Sequence, residues 1–217
     1  MNPFEIKDCA LLTRMCGLTP AVSLRELRER ITVCSGSSLY HHFCETPLVP
    51  LFDNPDYRND FAVWVKLDLG DRVLAERLGM IDPYVYDSMD ELRADLVDLI
   101  DERLSESPQH LPVLPGNEFY FKEAMTVVFD TGERVGSPDR LAEAVRGMTS
   151  SSIYFHILEA RRRLPAGCDD LCAWLREWGD EWQWMCAALG AIDVYFFSLS
   201  DLRTELVRVL TREGDDS

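Results

Sequence analysis

His42-x-x-Glu45 and His156-x-x-Glu159 place an imidazole and a carboxylate three residues apart, the spacing that shares one face of a helix. Two such pairs facing one another would make a His/Glu set resembling that of carboxylate-bridged di-metal bundles. Asp60 and Asp170 would add oxygen ligands, and a divalent metal such as iron, manganese or zinc would suit that donor set. Two features oppose this. Those bundles use Glu-x-x-His, the reverse order, with two lone glutamates. Asp60 and Asp170 also fall where first-turn residues of a helix belong, which accounts for them without a metal. Each histidine can equally be satisfied by Tyr40, Tyr154 or backbone groups.

Tyr40, Tyr154, Trp64 and Trp174 are candidates for stacking on a sugar ring or another planar ligand, with the core as the competing use of such residues. Trp178 and Trp182, four apart on one helix face, belong to the second half of the chain alone. His41 has no histidine at the matching position of that half. Cys44 lies two residues from His42, and side chains two apart on a helix diverge, so a Cys/His nucleophile is not expected. There is no Gly-rich phosphate loop, no G-x-S-x-G and no H-E-x-x-H.

These residues come in pairs because the chain reads as a tandem duplication. GSSLYHHFCE from Gly36 matches SSSIYFHILE from Ser150, with Ser38/Ser152, Tyr40/Tyr154, His42/His156 and Glu45/Glu159 identical. NDFAVWV from Asn59 meets DDLCAWL from Asp169, LGMID from Leu78 meets LGAID from Leu189, and SMDELRADL from Ser88 meets SLSDLRTEL from Ser198. The expected organisation is copy one over residues 1–106, a proline-bearing linker over 107–118 and copy two over 119–213. Each copy is short for a core of its own, so the two are expected to share one as a pseudo-twofold dimer.

Each copy reads as the same helix series, and the fold class is mainly α. Helices are expected to open at Ser23 and Ser137, at Asn59 and Asp169, and at Ser88 and Ser198, all residues whose side chains accept from first-turn N–H groups. Gly79 and Gly190 are expected as left-handed C-terminal caps. FEIKDCALL and FYFKEAMTVVF, rich in β-branched and aromatic residues, suggest a short strand at the start of each copy. The longer insert TPLVPLFDNPDYR of copy one reads as a surface loop.

Composition narrows the partners. Of 217 residues, 38 are acidic and 22 basic, for a net charge of −16, which disfavours phosphate backbones and anionic lipid surfaces: no nucleic acid and no membrane. The basic cluster Arg161–Arg163 reads as a solvated helix face. No apolar run approaches bilayer length, and the first residues lack the pattern of a secretory signal, so a cytoplasmic location is expected. The seven cysteines form no C-x-x-C pair and are read as reduced.

The strings S-[LI]-Y-[HF]-H, N-D-F-x-x-W-V and L-G-x-I-D-P-Y, followed by a capped D-E-L-R helix, resemble a prokaryotic family, domain of unknown function 5752, over nearly the whole chain. The resemblance implies the twofold repetition and a setting near enzymes of sugar metabolism, and it supplies no activity. Copy two departs from the pattern with Asp169 for Asn59 and with Val194 after I-D. Two functions remain open. One is a non-catalytic binding or accessory protein, for a protein partner or small molecule, without cofactor. The other is a metal-binding enzyme or sensor with its His/Glu site between the repeats.

Overall fold

The computed structural model describes residues 2–48, 57–106, 111–163, 168–195 and 197–211. It is mainly helical, with one antiparallel pair of strands, β1 (Phe4–Met15) and β2 (Lys122–Val135). After β1 come α1 (Leu24–Val33), α2 (Gly36–Tyr40), α3 (Asp60–Leu67), α4 (Arg72–Gly79) and α5 (Met89–Glu106). After β2 come α6 (Leu141–Gly147), α7 (Ser150–Ile153), α8 (Ala160–Arg163), α9 (Asp170–Trp178), α10 (Gln183–Gly190) and α11 (Leu199–Leu210). No described helix is long and apolar enough to cross a membrane.

The chain divides into two compact units, of which one is a single stretch of sequence and the other is not. One joins residues 1–11 to 126–217; the other is residues 12–125. The divisions fall inside the strands. In the 12–125 unit, α1 packs on α5 and α3 on α4 around Leu24, Leu27, Phe61, Leu78 and Leu96. Phe119 and Phe121, just before and at the approach to β2, are buried in this same core. Of the stretch read as a linker, residues 107–110 lie outside the described residues, as do His110 and most of the copy-one insert. Beyond them Val113 N–H donates to the Val22 carbonyl at 2.7 Å, and Phe119 and Ala21 exchange backbone bonds. In the other unit α6 packs on α11 and α9 on α10, and Phe4 and Ile6 of β1 join Leu141, Leu171 and Leu202 in its core.

Helix starts follow local chemistry. Ser23 accepts from Glu26 N–H while the Glu26 carboxylate accepts from Val22 N–H. Asn59 and Asp169 cap α3 and α9, accepting from Ala62 and Cys172. Ser88 and Ser198 accept from Glu91 and Asp201. Ser137 makes no such bond; Pro138 follows it in a single tight turn before α6 begins. The ends differ from expectation. Neither Gly79 nor Gly190 has positive φ; each is the last residue of its helix, with Met80 and Ala191 after it in right-handed geometry. Gly79 is needed for another reason: a Cβ there would lie 2.6 Å from the Tyr57 ring. Nothing stands within 4 Å of a Cβ at Gly190.

Candidate functional site

The helices carrying the two H-x-x-E strings widen from α into π winding, at His41–Glu45 after α2 and at Tyr154–Glu159 after α7. Glu45 pairs with His41, four residues earlier, Nδ1 to Oε2 at 2.8 Å. Glu159 pairs with Arg162. The Nδ1 atoms of His42 and His156 bond Asp60 and Asp170. Single π turns inside helices are frequent at functional sites.

His42 turns instead to Asp60, Nδ1 to Oδ2 at 2.8 Å, and its Nε2 receives the Lys122 backbone N–H at 3.0 Å. An amide can only donate, so Nε2 holds the lone pair and Nδ1 carries the proton that it gives to Asp60. Burial pushes His42 below the ordinary histidine value, against the pull of Asp60. Ser38, one turn earlier, donates its hydroxyl to the Lys122 carbonyl at 2.8 Å. One residue of strand is thus gripped at both backbone groups by S-x-x-x-H. The Trp64 indole N–H holds the Asn117 carbonyl at 2.7 Å, and Ser35 donates to Glu123 at 3.0 Å.

The other unit contains the same grip with different chain. His156 accepts from Lys7 N–H at 2.9 Å and bonds Asp170 at 2.8 Å; Ser152 donates to the Lys7 carbonyl at 2.7 Å. Trp174 holds the Asn2 carbonyl at 3.0 Å, and Thr149 donates to Asp8 at 3.0 Å. Both ring nitrogens of His42 and of His156 are therefore occupied by protein partners. Among the described residues no group of three or more His, Cys, Asp or Glu side chains is placed to hold a metal ion. Asp60 and Asp170 are not caps, since Asn59 and Asp169 fill that role; their carboxylates orient the imidazoles. Tyr154 is wholly buried, and Tyr40 packs against the core of its unit. The indoles of Trp64 and Trp174 are 6% exposed.

Within the 12–125 unit these residues form one wall of a cavity of about 490 Å³. Of the residues singled out from sequence, it brings together His42, Asp60 and Trp64. It adds Thr13, His41, Val63, Asp68, Glu118, Phe119, Tyr120 and Lys122. His41 is 2% exposed and Glu45 3%, so a buried carboxylate fixes a buried ring. With Nδ1 committed to Glu45, His41 Nε2 has no partner among the described residues. Burial raises the Asp68 carboxyl above the usual range. Glu118 is held below it, first by the Gly116 backbone N–H, 3.1 Å from each oxygen.

His41, Asp68, Glu118 and Tyr120 carry no signal in the repeat pattern, because none is repeated. The residues at matching positions in the other unit are Phe155, Trp178, Pro3 and Glu5, and Thr13 is matched by Val128. There Arg163 stands over the Phe155 ring at 4.3 Å and bonds Asp170 at 3.0 Å, while Trp178 packs edge-on against Trp174 at 5.6 Å. Arg163, on an exposed helix face, makes that Phe155 contact.

The structure of OrfY from Thermoproteus tenax is similar to this fold, with a TM-score of 0.79 and 26% sequence identity over 99% of this chain and 96% of that one. No curated protein matches the chain. The family of unknown function DUF5752 matches residues 1–211, spanning both grips and the cavity between His41 and Lys122, and the chain belongs to that family.

Proposed function

We propose that this chain binds a small, neutral, hydroxylated molecule of the carbohydrate class in the cavity of its 12–125 unit. On this reading the chain is a duplicated scaffold in which one copy keeps an open polar site and the other has filled it. The observation that carries the proposal is the difference between matching positions. The cavity is lined by residues common to both halves, among them His42, Asp60 and Trp64, together with polar residues that the other half replaces: His41 against Phe155, Asp68 against Trp178, Thr13 against Val128. A scaffold explains the shared set; it does not explain why the polar set gathers around one hollow.

The lining suits the ligand class. Trp64, Phe119 and Tyr120 offer aromatic surface, and Asp60, Asp68 and Glu118 offer carboxylate oxygens to hydroxyl groups. Among the described residues of the lining Lys122 is the one lysine or arginine, so an anionic ligand is disfavoured.

Saturation-transfer NMR with a panel of neutral mono- and disaccharides, organic amines and organic phosphates tests the reading. Sugar binding is expected, lost in Asp68→Trp, which copies the residue of the filled half, with melting behaviour retained. Binding of amines or phosphates alone, or unchanged sugar binding in Asp68→Trp, would overturn it.

A further inference from the structure

We infer that this cavity is also a site of proton-transfer chemistry, in which His41 acts as general base and Asp68 as general acid on a hydroxycarbonyl compound. The inference rests on the carbohydrate-class reading above and goes beyond binding. Its ground is geometric. His42 has both nitrogens paired, with Asp60 and Lys122. His41, its neighbour, has Nδ1 fixed by the buried Glu45 at 2.8 Å, lines the cavity, and keeps Nε2 without a partner among the described residues. That is the arrangement of a base held by an orienting carboxylate, with the proton on Nδ1 and the lone pair on Nε2. The ring sits on a π turn, and the matching position of the other half is Phe155, which can do no such chemistry. Asp68 lines the same cavity without a side-chain partner among the described residues, and its partial burial shifts the carboxyl upward, the direction an acid needs.

The reaction these two groups can run without a co-reactant is enediol formation. His41 Nε2 takes the proton from the carbon beside a carbonyl. The C–H electron pair becomes the C=C bond, the carbonyl π pair moves to oxygen, and that oxygen takes the Asp68 proton. In the return step His41 gives its proton to the neighbouring carbon, and Asp68 recovers one from the hydroxyl that becomes the new carbonyl. The net change is the interconversion of an aldose and a ketose, with nothing oxidised or reduced overall. Glu45 is a positioning residue: it fixes the His41 tautomer and steadies the imidazolium.

The test incubates the full chain in D₂O with glyceraldehyde, dihydroxyacetone, D-glucose and D-fructose. Saturation transfer reads binding, and loss of the carbon-bound proton signal reads chemistry. Exchange above the buffer rate is expected for at least one compound. It should fall about 100-fold or more in His41→Gln and in His41→Phe, the second variant guarding against misfolding of the first. Glu45→Gln should lower kcat and leave KM unchanged. Binding without exchange would overturn the catalytic inference and leave the binding reading standing. Absence of both would overturn the two together. Exchange undiminished in His41→Gln would remove His41 from the role.

Discussion

His41 and His42 are adjacent in sequence and opposite in use. His42 spends both nitrogens, giving Nδ1–H to Asp60 and accepting the Lys122 amide at Nε2. Its job requires the neutral ring, because a proton on Nε2 would set two donors against each other. Burial holds its folded value below the ordinary 6.5. The unfolded chain therefore takes up a proton first as pH falls. Stability from this group is complete above pH 6.5 and is lost as the solution is acidified through the folded value. Denaturant melts between about pH 7.5 and pH 5 should show wild type losing stability faster than His42→Gln, which starts lower and has no ring to protonate. Parallel pH dependence in the two would show that the ring is not held neutral.

Among the elements, helix starts were legible in the sequence because a cap is a local matter: Asn59 needs only Ala62, and Ser198 only Asp201. The strands were legible as tendency, from Phe, Val and Thr content, though not in length, since most of β2 is exposed and its extent is set by pairing with β1. What local pattern could not reveal was the π winding at His41–Glu45. Gly79 misled for a similar reason. It sits at a helix end, where glycine usually signals a left-handed cap, but the need for it comes from Tyr57, far away in sequence. Gly79→Ala in α4 should cost about 1–3 kcal/mol, because the Tyr57 ring must move. Gly190→Ala in α10, where nothing stands nearby, should be neutral or stabilise by up to about 1 kcal/mol. Thermal melts of the two variants check the contrast; equal effects would mean that the tyrosine is free to give way.

For the whole molecule, the central fact is that the unit of α6–α11 takes in a segment from before α1: residues 1–11 belong with 126–217. Sequence reading assigned FEIKD to the first half simply because it comes first. Nothing in the string says otherwise, since FEIKD and FYFKE offer similar groups to similar grips. Deleting residues 2–8 removes Phe4, Ile6 and the Lys7 amide from the unit of α6–α11. Two buried side chains at about 1.5–3 kcal/mol each should raise amide exchange in that unit by about 100-fold or more. Exchange in α1–α5 should change far less. A uniform rise across both units would contradict the assignment of the arm.

The discontinuous unit also has a consequence in time. Ribosomes deliver residues in order, so the 12–125 unit has every part it needs once Lys122 and Met125 have left the exit tunnel. The first eleven residues, made earliest, must wait for α11 to be finished at Leu210 before their partners are complete. At about 5–20 residues per second, that leaves Phe4 and Ile6 uncovered on the nascent chain for roughly 10–40 s. The birth of this protein thus has a built-in order, in which the half bearing the cavity matures first and the oldest residues settle last.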